Sequence, residues 1–169
     1  MKKSSISVYI LAFNVESKIE DCIKSVTWAD EVVVIDSHST DNTAKIAEQL
    51  GAKVRQVDFN GFGSIRVAGV EHTQYEWILS VDSDERCTPE AKQEILGIIN
   101  QDDSKDVYYM PRRNIFMGRE IFFCDYFGEF WGTIFLSPPG YSLLNYQRLL
   151  WFVLYFFAHL QFLQVRSRQ

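Results

Sequence analysis

The 169-residue chain predicts an α/β fold, a mostly parallel sheet flanked by helices. Three observations carry that expectation. Short apolar runs alternate with amphipathic stretches of helical period, the rhythm of strand–helix–strand units. The runs are apolar at nearly every position and rich in β-branched residues, as strands buried on both faces must be. Each of the strongest runs also gives way to polar or acidic residues, and parallel sheets bind ligands beyond the carboxyl ends of their strands.

The elements follow in order. Ser7 to Phe13, SVYILAF, is a compact run suited to a central strand. From Glu16 to Val26, residues Ile19, Cys22, Ile23 and Val26 recur at helical spacing. EVVVID, Glu31 to Asp36, is a second buried strand. A second helix is expected over Ser39 to Leu50, opening on cap-forming residues, repeating Ala44, Ile46, Ala47 and Leu50, and stopped by Gly51. Lys53 to Phe59 reads as a third strand, with Val54 and Val57 less deeply buried. GFGSIRVAGVEHT starts with loop-forming glycines and continues as a helix. EWILSVD, Glu76 to Asp82, is the fourth strand, Pro89 to Ile99 is a helix with proline near its start, and Asp106 to Met110 is a fifth strand.

Composition narrows the class. A hydrophobic fraction of 47% and a charged fraction of 23% describe a globular chain long enough to bury a core. A net charge of −5 provides no electrostatic attraction to nucleic acid. Cys22, Cys87 and Cys124 are odd in number and widely spaced, so they suggest neither a disulfide framework nor a zinc site. Met1-Lys2-Lys3 precedes an apolar run too short for a secretory leader and interrupted by Asn14 and Glu16. These features together point to a cytoplasmic protein.

The averages conceal a break. Residues 1–111 carry 11 lysines and arginines against 19 acidic residues, whereas residues 112–169 carry 6 against 3. No lysine follows Lys105, and 15 of the 25 aromatic residues lie beyond Glu120. The chain is therefore read as an organised part, 1–120, and an aromatic-rich segment, 121–169.

Polar residues gather at successive strand ends: Asn14 and Glu16, then Asp36 and Ser37, then Asp82-Ser83-Asp84-Glu85. The VDSDE motif is the strongest signal. Two aspartates one residue apart, leaving a buried strand, repel unless a cation sits beside them. Hard divalent ions such as Mg²⁺ or Mn²⁺ take oxygen ligands and share them with substrate phosphates. The plainer reading makes the pair a turn cap ahead of Pro89. In VVVIDSHSTDNT, Asp36 stands at a strand tip where a ligand could meet it, while Asp41 reads as a helix cap. GFGSIR is no dinucleotide fingerprint, and Arg66 one turn into its helix could serve a base, a phosphate or the fold. His38, His72 and His159 are scattered without ligand spacing.

ILAFNVE, VVVIDSHSTDNTAKIAEQLGA, FNGFGSIR, EWILSVDSDERCTPE and PRRNIFMGREI together resemble the nucleotide-binding half of the family 2 glycosyltransferases. The likeness covers roughly residues 5–120 and is nearest to bacterial enzymes that add glucose or a similar sugar to the lipopolysaccharide inner core. It implies a GT-A type, Rossmann-like fold and sugar transfer from a UDP-sugar donor to a glycan or glycolipid acceptor with inversion. Carried over by position, Ala12, Asn14 and Glu16 line the nucleoside pocket, and Asp36 and Arg66 contact the base. Asp82 contacts the ribose or diphosphate, and Asp84 holds Mg²⁺ or Mn²⁺. The family often has Gln-Arg-Asn where this chain has Ile65-Arg66-Val67.

Inverting transfer needs a general base near the acceptor hydroxyl. Relatives carry it in a segment resembling G-W-x-P-D-x-x-x-R-L-F, which is absent here, leaving Asp125 and Glu129 as the candidates. Three readings of residues 121–169 stay open. Leu149 to Leu160, flanked by Arg148 and Arg166, is too short to span a bilayer but could lie at the inner-membrane interface. The segment could instead complete the core as a helix pair, or be a non-native end from a shifted frame or truncation.

Overall fold

The computed structural model describes residues 4–101, 107–110, 113–117, 119–121 and 134–136. Cys124, Asp125, Glu129 and the apolar run 149–160 lie outside the described residues.

Four strands form the parallel centre: β1 (Ile6–Ala12), β2 (Glu31–Asp36), β3 (Lys53–Gln56) and β4 (Trp77–Asp82). The helices between and after them are α1 (Ile19–Val26), α2 (Thr43–Gln49), α3 (Phe62–Glu71) and α4 (Pro89–Ile99). Three-residue strands follow: β5 (Val107–Tyr109), β6 (Asn114–Phe116), β7 (Arg119–Ile121) and β8 (Ile134–Leu136). The main sheet runs β3-β2-β1-β4-β8-β5, and β6 and β7 form a separate antiparallel pair. The expected α/β architecture is therefore present. Its addition is β8, which lies antiparallel between β4 and β5. No helical period announces so short a strand, and it arrives from beyond residue 120.

Strand alternation sorts the core into two layers. Ile6, Val8, Ile10 and Ala12 face α1, α2 and α4, sharing a buried cluster with Ile19, Cys22, Ile23, Val26, Ala47, Ile95 and Ile99. Tyr9, Val33, Ile35 and Ile78 face the other way, onto Ile65 of α3. The helical face expected of α1 is the one buried. Thr88 caps α4, its hydroxyl accepting from the Ala91 amide at 3.2 Å, and Pro89 follows in the first turn.

Three elements fall short of the expected bounds by three residues or more, each for a local reason. α1 begins at Ile19 because residues 16–18 form a turn closed by Lys18 N–H on the Val15 carbonyl at 2.9 Å. α2 begins at Thr43 because the side chains expected to cap it reach across to the neighbouring loop. β3 stops at Gln56, after which Val57 N–H makes a last bond to the Asp36 carbonyl at 3.0 Å, where β2 itself ends.

The amino-terminal edge of the sheet is tied by Glu31, 6% exposed. Its carboxylate accepts from the Ser7 hydroxyl at 2.5 Å, Lys53 Nζ at 2.7 Å and the Gln74 amide at 3.0 Å. Ser7 Oγ in turn accepts from the Tyr75 amide at 3.1 Å, so β1, β2, β3 and the approach to β4 meet at one acid. Burial by itself would raise this carboxyl, but the hydrogen bonds from Lys53, Ser7 and the Gln74 amide outweigh it and hold it below the ordinary glutamate value.

A group depressed in the folded state stabilises fully above its unfolded value, about 4.3, and loses that contribution as pH falls through the lower folded value. Glu31→Gln is therefore expected to cost about 1–3 kcal/mol at neutral pH. It should also flatten the acid limb of stability measured by urea denaturation from pH 7 to pH 3. An acid limb identical to wild type would remove Glu31 from this role.

Candidate functional site

The carboxyl edge is where the polar strand ends converge. Ala12 pairs in register with Asp36, and Leu11 with Asp82, so the tips of β2 and β4 flank the tip of β1. Two strand spacings place Asp36 and Asp82 roughly 10 Å apart along the edge. Register also assigns them opposite faces. Asp36 shares the face of Ala12, above α1 and α2, whereas Asp82 shares the face of Leu11 and Tyr9, above α3. A ligand spanning the edge would meet one acid's surroundings from each side.

On the Asp36 side, two loops are laced together. Asn14 donates its amide to Ser39 Oγ at 2.9 Å, and its own Oδ1 accepts from the Thr40 amide at 2.8 Å. Val15 N–H donates to Thr43 Oγ1 at 2.8 Å and Glu16 N–H to Asp41 Oδ2 at 3.1 Å. Glu16 returns the exchange, its carboxylate accepting from the backbone and side-chain nitrogens of Asn42, both at 3.0 Å. Asp41 also receives the Thr43 amide at 2.9 Å, so it serves the helix start and the opposite loop together. Asn14 and His38 hold φ of 50° and 59°, an uncommon conformation for non-glycine residues that clusters where a site over-determines the backbone.

Asp36 lies beneath this lacing and is fully buried. Its carboxylate accepts from the Ser39 amide at 3.0 Å, from the Ser39 hydroxyl, and from Gln56 Nε2 at 2.6 Å. Ala12 is buried beside it, its carbonyl taking the Ser37 amide at 3.0 Å. His38 Nε2 lies 2.8 Å from Asp58 Oδ1, bridging the loops that follow β2 and β3.

On the other side, Arg66 reaches from α3 to the tip of β4. Its Nη1 donates to Ser80 Oγ at 3.0 Å and its Nη2 to Asp82 Oδ1 at 3.2 Å. The pair is half-buried, and the Tyr9 phenol lies close to both Ser80 and Arg66. Burial pushes the Tyr9 phenol above its ordinary value, so it remains protonated. Burial alone would lower Arg66, but the charge of Asp82 and the contact with Tyr9 raise it, keeping the guanidinium charged.

The segment after β4 folds into a tight turn. Glu85 N–H donates to the Asp82 carbonyl at 2.8 Å, and Glu85 Oε2 accepts from the Asp82 amide at 2.8 Å. Cys22 Sγ donates to the Asp82 carbonyl at 3.6 Å from the α1 side, its thiol pushed up to about 12, chiefly by burial. Asp84 stands exposed at the crest of this turn. Among the described residues no three His, Cys, Asp or Glu side chains are grouped to hold a metal on their own. The donor set still fits Mg²⁺ or Mn²⁺, because such ions are commonly bound by one or two carboxylates and complete their shell with substrate phosphates and water.

The structure thus brings Ala12, Asn14, Glu16, Asp36, Arg66, Asp82 and Asp84 to one edge of the sheet. Sequence reasoning did not single out Gln56, Tyr9 or Ser80. Gln56 falls inside the run expected to continue to Phe59 and becomes a strand tip only because β3 stops early, and the hydroxyls of Tyr9 and Ser80 sit within runs that read simply as strand.

Comparison with known proteins follows the same lines. The family model described as Glycosyl transferase family 2 matches residues 7–161, past the point where the motif likeness ends. An uncharacterized glycosyltransferase of Rickettsia bellii is 42% identical over 101 residues, which are 57% of this chain and 34% of that protein. The lipopolysaccharide core biosynthesis glycosyltransferase LpsC of Rhizobium meliloti is 25% identical over 121 residues, 69% of this chain and 45% of that one. Among solved structures, S. aureus TarS 1–349 in complex with UDP superposes with a TM-score of 0.58 at 29% identity, covering 69% of this chain and 38% of that 1–349 chain. The chain spans about a third of the length of the Rickettsia relatives it matches, 34% and 36%.

The α3 face has one tight packing point. A Cβ on Gly69 would sit 2.5 Å from Tyr9 Cδ2, so only glycine lets the helix approach the ring that supports Arg66. Gly69→Ala is expected to lower stability by about 1–3 kcal/mol through overpacking. Thermal or urea unfolding measures it, and a variant as stable as wild type would show that the contact yields freely.

Proposed function

Since the chain belongs to glycosyl transferase family 2, we propose that this domain holds the nucleoside diphosphate of a UDP-sugar, for transfer of the sugar to a lipopolysaccharide core or related glycan acceptor with inversion. Glucose is the first sugar to test. The observation that carries the reading is the convergence of the laced Asn14–Thr43 wall, the Arg66–Asp82 pair and exposed Asp84 at one carboxyl edge. Likeness to TarS, whose structure was determined with UDP, and to LpsC, named for lipopolysaccharide core biosynthesis, supports the donor and acceptor classes.

Each group has a task in this reading. Asn14 and Glu16 keep the nucleoside wall in shape through Ser39, Thr40, Asp41 and Asn42. Buried Asp36 acts on the base through the Ser39 turn that it organises, with Ala12 as the floor. Arg66 offers charge to the base or diphosphate while orienting Asp82 toward the ribose or diphosphate. Asp84 supplies the carboxylate for Mg²⁺ or Mn²⁺, which when bound would neutralise the departing diphosphate. The expected setting is cytoplasmic, and no helix of the described residues is long and apolar enough to cross a membrane.

A second reading, nucleotide-sugar binding without transfer, is favoured by one observation. Within residues 121–169 the carboxylic side chains are Asp125 and Glu129, and neither lies in a segment resembling the family's acceptor-side base. A UDP-release assay with glycan acceptor separates the two readings, since only the enzyme releases UDP in proportion to acceptor.

Calorimetry with UDP-glucose and Mn²⁺ tests what both readings share. Wild type is expected to bind more tightly with the metal, and Asp84→Ala to lose about ten- to a hundredfold of that affinity. Because Asp84 is exposed, its melting temperature should stay close to wild type. Full metal-dependent affinity in the variant would place the cation elsewhere.

A further inference from the structure

The turn that carries Asp84 and the loop that carries Asn14 and Glu16 belong to different strands, yet one side chain grips both. Arg86 Nη1 donates to the Ser83 carbonyl at 3.2 Å and to the Glu85 carbonyl at 2.7 Å, the two carbonyls that bracket Asp84 in the chain. Its Nη2 donates to the Lys18 carbonyl at 2.9 Å, in the turn directly after Glu16, with Asp21 Oδ2 at 3.7 Å. A carbonyl carries a dipole and no net charge, so three carbonyls on one guanidinium depend on how the donors are placed as well as on charge. A planar fork reaches them with two separated nitrogens at fixed positions, whereas a lysine presents its donors from one point.

We propose that Arg86 is a positioning residue that sets the gap between the nucleoside wall and Asp84, and so the span available to a diphosphate and its cation. The inference rests on the nucleotide reading above. It explains why the crest of the Asp82–Glu85 turn can be exposed and still present one carboxylate in a defined place. Glu85 closes the turn onto the Asp82 amide, Cys22 holds the Asp82 carbonyl from below, and Arg86 ties the assembled turn sideways to the start of α1. Without the guanidinium, the turn keeps its internal closure and loses its bond to the neighbouring loop. The expected defect is one of relative placement, with folding intact.

Two measurements on the full chain test it together. Amide hydrogen exchange should show faster exchange in Arg86→Ala at both residues 14–18 and residues 83–87, with β1 to β4 protected as in wild type. In calorimetry, the gain in UDP affinity on adding Mn²⁺ should fall about tenfold. Arg86→Lys should restore neither property, since it keeps the charge and not the fork. Exchange altered in only one loop, or unaltered, overturns the proposal, as does an undiminished Mn²⁺-dependent gain in the variant. If wild type shows no Mn²⁺-dependent UDP binding, the nucleotide reading falls and this role with it. Wild-type binding beside an unperturbed variant overturns the role of Arg86 alone.

Discussion

Hydrogen bonds exchanged between the loop after β1 and the loop after β2 are the constraint on which the site depends. Asn14 and Glu16 each give a backbone amide to the second loop and each take one back on a side-chain oxygen. The exchange satisfies amides that would otherwise be exposed at the start of α2, and it does so by spending caps across a gap. The helix is shorter for it, beginning at Thr43. What the chain gains is a wall of two loops bonded to each other in both directions.

The two ends of the sheet manage charge differently. At the amino edge, Glu31 is nearly enclosed, and its partners Ser7, Lys53 and Gln74 draw β1, β2, β3 and the approach to β4 together. A buried carboxylate of this kind is tolerated because its oxygens are occupied by donors. At the carboxyl edge the acids are graded by depth. Asp36 is buried and its carboxylate takes three hydrogen bonds, Asp82 is half-buried beside Arg66, and Asp84 is exposed. The deeper acids shape the loops, and the outermost presents its charge.

Much of this was legible in order. Nearly continuous apolar runs over β1, β2 and β4 marked strands covered on both faces, and the 3.6-residue recurrence of Ile19, Cys22, Ile23 and Val26 marked the buried face of α1. Strand ends could be named because parallel sheets gather function there. The order and spacing of the motifs also pointed to the family that the matched residues 7–161 confirm. Helix starts were misjudged where capping residues had a second use, as at Ser39 and Asp41. β8 was not anticipated, since three residues carry too little pattern to separate a strand from a loop.

The sequence by itself determined that the second and fourth strands end on acids, Asp36 and Asp82, because periodicity and residue chemistry are local properties. Tertiary structure decided which face each tip presents and who its partners are. Asp36 and Asp82 read alike in the chain, but the pairing of Ala12 with Asp36 and Leu11 with Asp82 turns them to opposite faces. The partners Gln56, Tyr9 and Arg86 come from other strands or reach other loops. Register and long-range hydrogen bonds arise only when separate segments meet, so no single segment can announce them.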